Sequence, residues 1–499
     1  MSDQSRAFPD RPSLRYLKLE AKRRLSAGEF ATLHDAQLAI AREHGRPSWA
    51  ALKEFIDDRP GPVGPALTQV RWVISRFQEA GTPDWIVPDG GELREHFGEH
   101  YLTLVPPDTM IRTLTQVAER LQDELVVTRE TPLAVRAQIG GMAVEGAAEV
   151  AAPHRLTRLR MYSLGQRVTD PRGAAPSTRI SGEVPGAAAE VAEESCTELG
   201  LPGLALAGAA SGGVWLATRG WADLDRAEAL DPAHRFPAYS ITKVITSTAV
   251  LRLVAAGQVG LDDPANEHLR TVRLADDAVT IRELLTHTGG VDSPGELFAG
   301  RVPDLVALTG PVIACSSPRG TFAYSHGGYA MLGQLIADVT GSPYPDAVAR
   351  LVIEPLGMAS SSFPERWPDT AAITGYRMTG DGTFEPAPAE VCTLPAAGGL
   401  WTTAADLVRF GRGWASLLPD ELAREALRPH VAQDTASAAH VGLGWLINPA
   451  KDVSGHTGGG PGAASSLIVT LSSGQVGVAM TNRLVPIEPV TARLVRPIV

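Results

Sequence analysis

The stretch Phe236-Pro-Ala-Tyr-Ser240-Ile-Thr-Lys243-Val-Ile-Thr246 is the clearest indication of both fold and chemistry. Ser240 stands at the start of a helical pattern that ends near Gly257. Residues three apart share one face of a helix, so we expect the Lys243 amine to lie beside the Ser240 hydroxyl. Serine is a good nucleophile only when a base removes its proton, and burial at the positive end of a helix lowers a lysine pKa enough for that role. The alternative is a capping serine followed by a surface lysine.

Lysine is rare in this chain, which gives each lysine more weight. Lys+Arg totals 45, but the only lysines are Lys18, Lys22, Lys53, Lys243 and Lys451. Arginine stays protonated at neutral pH because its pKa lies above about 12, so it cannot act as a base. The pattern therefore indicates that Lys243 is present because it can lose its proton.

Two further motifs follow along the chain. In Phe322-Ala-Tyr324-Ser-His326-Gly-Gly-Tyr329, a tyrosine near a cationic lysine can favour phenolate and relay protons, although a packing tyrosine is the alternative. Val453-Ser-Gly-His456-Thr457-Gly458-Gly459 precedes two predicted strands at 466–471 and 475–481. Glycines beside a strand edge let backbone N–H groups approach a substrate closely, whereas the alternative is an ordinary glycine-rich loop.

Taken together, these motifs resemble those of the serine β-lactamase and penicillin-binding-protein superfamily. The likeness is closest to its class C β-lactamase, D-Ala-D-Ala carboxypeptidase and family VIII esterase branch, and it covers residues 183–499. The resemblance implies an α+β domain with a five-stranded antiparallel sheet flanked by helices, an inserted helical lobe and an active site between the two. It implies no metal and no organic cofactor.

The resemblance also implies a role for each motif residue. Ser240 would attack a carbonyl carbon and form an acyl-enzyme, while Lys243 and Tyr324 would share the general-base and general-acid work. The backbone N–H groups of Ser240 and Gly459 would form the oxyanion hole, in which one donor is worth about 10²–10³ in rate. His456 would hold the electrostatics of the tyrosine and help to bind a substrate carboxylate or carbonyl.

The chain departs from the superfamily pattern at two positions, and both bear on substrate binding. His326 occupies the place of an asparagine, and its ordinary pKa near 6.5 suggests some pH sensitivity. His456 stands where many β-lactamases have lysine, which weakens the fixed positive charge that favours an anionic β-lactam. We expect His326, Thr457 and Gly458 to contact the substrate. His287, in a Thr-His-Thr-Gly loop, resembles a structural segment of the superfamily.

The rest of the chain divides into two upstream parts. Residues 1–60 read as a helical segment, and residues 66–168 read as helices followed by strands, a small α+β domain. Proline- and glycine-rich linkers are predicted at 60–65 and 168–185. The helix at 92–101 and the following Pro106-Pro107-Asp108 are similar to NTF2-like modules. His96 and His100 lie four apart on that helix, a spacing that could bind metal, but a solvent-facing pair is the preferred interpretation.

Composition limits the protein's partners and its location. The formal net charge of −11 argues against a nucleic-acid binder. The three distant cysteines argue against a disulfide scaffold, and Cys315 and Cys392 read as packing residues. The first 30 residues lack the apolar core of a secretory signal, and no uncharged apolar run reaches membrane-spanning length. We therefore expect a cytoplasmic protein with no membrane or nucleic-acid partner.

These observations predict a serine hydrolase that cleaves a small-molecule ester or amide through an acyl-serine. A carboxylesterase ranks first. A D-amino-acid-type peptidase or amidase, a weak β-lactamase and an acyltransferase are alternatives on the same scaffold. A non-catalytic acyl-ligand sensor or interaction protein is the alternative of another class. Cell-wall transpeptidation is disfavoured because its substrate lies outside the cell.

Overall fold

The computed structural model describes most of the chain beyond residue 64. The described residues are 20–22, 24–25, 29–30, 32–43, 48–49, 64–80, 82, 85–98, 101–102, 105, 107–150, 152–163, 176–182, 186–210, 213–379, 383–433 and 439–495. Near the N-terminus, helix α1 spans Leu33–Glu43, where a helix is predicted, and it buries Ala36, Ile40 and Ala41 in a small cluster. Most of the remainder of the predicted helical segment 1–60 lies outside the described residues.

The upstream α+β part is built as predicted from helices followed by strands. Its helices are α2 (Pro65–Gln78), α3 (Gly90–His96), α4 (Pro107–Gln116) and a 3₁₀ turn at Ala118–Gln122. Its strands form an antiparallel meander, β1 (Val126–Thr131), β2 (Ala134–Ile139), β3 (Met142–Ala148) and β4 (Leu156–Ser163). The NTF2-like assignment stays a prediction. Helix α3 ends earlier than predicted because Phe97 is extended and forms an isolated bridge with Leu156.

The catalytic part contains a sheet that is larger than predicted. Its long strands are β6 (Gly203–Ala210), β7 (Gly213–Asp223), β8 (Val453–Gly460), β9 (Ala463–Thr470) and β10 (Val476–Thr481), in the order β8-β9-β10-β6-β7, with all neighbours antiparallel. These are the expected five strands.

Short strands extend the sheet at both sides, so the expectation of only five strands is wrong. Val431–Ala432, His440–Val441 and Leu446–Asn448 continue it beyond β8. Strand β5 (Arg179–Ser181) pairs with β7, although its residues fall in the predicted linker 168–185. Both additions have the same physical basis, because a short strand satisfies the backbone groups that an edge strand otherwise leaves unpaired.

Helices cover both faces of this sheet. One face packs against α5 (Gly186–Leu199) and α9 (Glu488–Leu494), and the opposite side holds α6 (Thr242–Ala255), α7 (His326–Thr340) and α8 (Ala404–Gly413). Helix α6 is buried almost all round, which marks it as the central helix of the domain. Shorter helices span Ile281–Leu285, Leu305–Thr309, Tyr344–Val348, Pro395–Gly398 and Asp420–Ala426.

The structure also bears on the predictions made for the cysteines and for membrane-spanning segments. Cys392 is buried in the main core and Cys315 packs against it, as predicted, and both thiols are free. Within the part of the chain that the structure describes, no helix combines the length and the apolar character needed to cross a membrane.

Candidate active site

Ser240 lies in a tight turn held against the end of the sheet. It belongs to the 3₁₀ turn Tyr239–Ile241, directly before α6. Tyr239 has φ +45°, a conformation that costs a non-glycine residue about 1–3 kcal/mol and persists only where its surroundings enforce it. The Tyr239 hydroxyl donates to the Pro461 carbonyl at 2.8 Å, and Ser465 Oγ donates to the Ala238 carbonyl at 2.7 Å. Both bonds tie the turn to the β8–β9 hairpin.

Lys243 lies beside Ser240, as the three-residue spacing predicts. Its side chain is fully buried, which excludes the alternative of a surface lysine. Its Nζ lies 3.2 Å from Ser240 Oγ, 3.3 Å from His326 Nδ1 and 2.9 Å from the Ala397 carbonyl oxygen. Burial lowers the pKa of Lys243 to about 7, so a large fraction of the amine is neutral at physiological pH.

The three contacts of Lys243 suit the neutral amine. A neutral amine has two N–H donors and one lone pair, and the Ala397 carbonyl can only accept. If His326 Nδ1 accepts the second N–H, the lone pair remains for the Ser240 hydroxyl. The Ala397 carbonyl was not anticipated from the sequence, because a backbone acceptor carries no side-chain signal.

Tyr324 completes the group around the nucleophile. Its ring centroid lies 4.8 Å from Lys243 Nζ, and the Ser240 side chain is close enough to its hydroxyl to affect the Tyr324 pKa. Burial raises the pKa of Tyr324 above its ordinary value of 10.0, so the phenol keeps its proton. The expectation that the nearby lysine favours phenolate is therefore not supported, and Tyr324 is set up to donate a proton.

Tyr324 is positioned by the residue that follows it and by a buried histidine. Ser325 caps α7, since its Oγ accepts the Gly328 N–H at 2.8 Å and donates to the Val291 carbonyl at 2.6 Å. His287 Nδ1 accepts the Ser325 N–H at 3.0 Å, and the His287 ring lies 4.4 Å from the Tyr324 ring. Burial lowers the pKa of His287 well below its usual value. The predicted structural role of His287 fits this placement.

His326 is the first residue of α7, is partly exposed, and contacts Lys243. Burial, followed by the nearby Lys243 charge, lowers the pKa of His326 to about 2. The lowered pKa favours the neutral ring, which argues against the expected pH sensitivity at this position. With Nδ1 directed at Lys243, the imidazole supplies an acceptor to the base.

The contact between His326 Nδ1 and Lys243 Nζ predicts that position 326 needs a hydrogen-bond acceptor and does not need an imidazole ring. We expect His326→Asn to keep kcat/KM for p-nitrophenyl butyrate within about tenfold, because the amide oxygen can accept from Lys243. We expect His326→Leu to lower it by about 10²-fold, because Lys243 then loses a partner that orients its lone pair. Steady-state kinetics on both variants measures the difference, and equal activities would contradict the acceptor role.

His456 lies on β8, which is a strand and not a glycine-rich loop. Its Nδ1 lies 2.6 Å from the Thr457 carbonyl oxygen, which can only accept, so the proton is on Nδ1. Its Nε2 is buried and has no hydrogen-bond partner among the described residues. Burial lowers the pKa of His456 to about 3, so the ring carries no positive charge. It can accept a proton donor but cannot hold a carboxylate by charge.

Strand β8 packs closely against the turn that contains Ser240, and this leaves no room for a side chain at Gly458 or Gly460. A Cβ on Gly458 would lie 2.1 Å from the Ala238 carbonyl oxygen, and one on Gly460 would lie 2.6 Å from the Tyr239 ring. Residues 456–460 pair with β9, whereas pairing on the other side of β8 stops at Gly455 among the described strands. The strand that contains Thr457 and the exposed Gly459 thus presents a free edge beside Ser240. The predicted substrate and oxyanion contacts of this segment stay predictions.

Of the two upstream histidines, the structure describes His96. His96 Nδ1 lies 2.7 Å from Gln69 Oε1, and its ring stacks on Trp72 at 3.5 Å. His100 lies outside the described residues. Across the described ranges, no cluster of three or more histidine, cysteine, aspartate or glutamate side chains could hold a metal ion.

Comparison with known sequences agrees with this arrangement. The model of the beta-lactamase family matches residues 187–497. The chain is 33% identical over 317 residues to penicillin-binding protein 4 of Amycolatopsis lactamdurans, which covers 57% of this chain and 82% of that protein. It is 32% identical over 189 residues to esterase EstB of Burkholderia gladioli, which covers 34% of this chain and 47% of the esterase.

Solved structures agree on the fold. An octameric penicillin-binding protein homologue from Pyrococcus abyssi superposes with a TM-score of 0.54 at 22% identity, covering 62% of this chain and 75% of that chain. A class C beta-lactamase superposes with a TM-score of 0.53 at 18% identity, covering 62% and 95%. With the family model matched over most of the catalytic part, and a serine and a lysine in contact at its centre, this chain belongs to the beta-lactamase family of serine hydrolases.

Proposed function

We propose that this chain is a carboxylesterase that cleaves uncharged small-molecule esters through an acyl-Ser240 intermediate. The observation that carries the proposal is the buried Lys243 amine, 3.2 Å from Ser240 Oγ and with a pKa lowered to about 7. The amine is a base at neutral pH without any carboxylate to activate it.

Apart from Lys243, the titratable side chains around the nucleophile are neutral, which favours esters over anionic substrates. Burial raises the pKa of Tyr324 and lowers those of His287, His326 and His456, so all four side chains are uncharged at pH 7. A β-lactam carries a carboxylate that a cationic side chain would bind, and the histidine at 456 does not provide one. An ester needs no such charge, and esterase EstB is among the relatives of this chain.

The proposed reaction has two halves. Lys243 takes the Ser240 proton as Oγ attacks the ester carbonyl carbon, and the oxyanion is held by the backbone N–H groups of Ser240 and Gly459. The bond to the alkoxy oxygen then breaks, and the alcohol leaves with a proton passed through Tyr324. Water next attacks the acyl-serine carbonyl carbon while Lys243 takes its proton. The bond from that carbon to Ser240 Oγ then breaks and Lys243 returns the proton to Oγ, which releases the carboxylic acid and restores Ser240.

The test is to measure turnover and covalent labelling together on the full chain. We expect hydrolysis of p-nitrophenyl butyrate, and we expect a fluorophosphonate probe to modify Ser240, identified by mass spectrometry of the peptide. Parallel assays with a D-phenylalanine amide and nitrocefin separate the alternatives. Faster turnover of either than of the ester would replace the proposed activity by an amidase or a β-lactamase. If neither turnover nor labelling is observed, the alternative of a non-catalytic acyl-ligand sensor or interaction protein would be favoured.

A further inference from the structure

We propose that the upstream α+β part forms one wall of the substrate site and that the cavity it closes binds the acyl chain of the ester. The inference rests on the proposed function and adds a substrate class, esters of medium-length apolar acids. It assigns a role to residues 64–163, for which the sequence motifs indicated none.

A cavity of about 500 Å³ lies between the two parts of the chain. The upstream wall includes Met110 and Leu114 of α4 and Met161 of β4, and the catalytic wall includes Leu484, Val485 and Ile487. The volume falls within the range of sites that hold small organic ligands, and apolar side chains of this kind favour an aliphatic group.

Direct contacts join the two walls. Arg160 of β4 and Glu488 of α9 form an ion pair at 2.7 Å, with side chains that are 35% and 30% exposed. Arg120 Nη2 also donates to the Thr379 carbonyl oxygen at 3.4 Å. Arg160 and Glu488 line the cavity as well, but they neutralise each other, so the ion pair favours no charged ligand.

The cavity borders the candidate active site along the edge of β8. Its lining includes Thr457, Gly458 and Gly459 of that strand, and it includes none of the side chains of Ser240, Lys243, Tyr324, His326 and His456. Gly459 is the predicted oxyanion donor, so the cavity begins where the carbonyl oxygen would bind. Ser240 and Tyr324 both lie outside the lining, so the assignment rests on Gly459. An acyl group whose carbonyl oxygen is held by the Gly459 N–H would extend its chain toward the cavity, and the cavity is therefore assigned to the acyl chain.

The experiment compares acyl chain lengths. For the wild type, we expect kcat/KM to rise about fourfold for each methylene added from p-nitrophenyl acetate to the octanoate, as long as the chain enters the cavity. Leu484 is 56% exposed and tolerates a larger residue, so Leu484→Trp should narrow the cavity without unfolding the protein. We expect it to lower the ratio of kcat/KM for the octanoate to kcat/KM for the acetate at least tenfold.

Two further variants place the effect in the upstream wall. Met161→Trp narrows the cavity from the α+β side and should have the same selective effect. Val126→Trp is the matched control, because Val126 is 55% exposed on β1 and does not line the cavity. A wild type without chain-length preference, or a preference that survives in both Leu484→Trp and Met161→Trp, would overturn the proposal.

A binding measurement separates this proposal from the proposed esterase activity. Octanamide carries the carbonyl and the apolar chain, and calorimetry can follow its binding without turnover of an ester. If esters are not hydrolysed but octanamide binds the wild type at least tenfold more tightly than Leu484→Trp, the activity is wrong and the cavity assignment stands. If acetate and butyrate esters are hydrolysed at Ser240 but octanamide binds both proteins equally, the cavity assignment alone fails.

Discussion

Replacing Ser240 with alanine is expected to lower kcat/KM for p-nitrophenyl butyrate by about 10⁴-fold or more and to abolish fluorophosphonate labelling. The variant removes the atom that forms the acyl-enzyme, and no other group in the site can replace it. Losses of this size are typical when the nucleophile of a serine hydrolase is removed, because residual catalysis then comes from the oxyanion hole and substrate binding alone. Stopped assays and intact-protein mass spectrometry measure both effects.

The matched control for this variant is Ser416→Ala. Ser416 is an exposed serine whose hydroxyl donates to the Gly413 carbonyl, far along the chain from the motif residues. We expect it to keep wild-type turnover and labelling. Equal labelling of wild type and S240A would show that the probe reacts elsewhere, and the assigned nucleophile would then be wrong.

Replacing Lys243 with arginine or methionine is expected to lower the rate of acylation by about 10³-fold. Arginine keeps a positive charge but does not release its proton, and methionine keeps an unbranched buried chain but has no basic nitrogen. Lys451→Arg is the control, since Lys451 is the other lysine of residues 183–499 and is exposed. Circular dichroism on K243M separates a lost base from a lost fold, and wild-type labelling rates in folded K243M would contradict the assignment.

The pH profile provides a second reading of the same lysine. The active form of Lys243 is the neutral amine, and its pKa is lowered to about 7, so kcat/KM should fall below pH 7 and level off above it. Folded K243M should lose this rise in its residual activity. Since the pKa values of His326 and His456 are lowered to about 2 and 3, neither histidine can produce a transition near pH 7. A flat wild-type profile between pH 6 and 8 would exclude Lys243 as the base.

Much of the catalytic centre could be predicted from local patterns. The spacing of Ser240 and Lys243 is a helical relation between neighbours, and the structure reproduces it as a 3.2 Å contact. The strands after Val453 follow from alternation and turn residues, which are equally local signals. The short strand at Arg179–Ser181 escaped prediction because it exists only by pairing with β7, a partner more than 30 residues away.

The amino-acid sequence alone established which residues carry the chemistry, because nucleophile, base and relay are identified by residue type, spacing and order. The protonation states of these side chains depend on the tertiary structure alone. Lys243, His326 and His456 have lowered pKa values because segments far apart in the chain pack around them and exclude water, and no local pattern records that packing. The cavity against the upstream part has the same origin. Its two walls come from residues 101–161 and 457–488, and they meet only when both parts fold against each other.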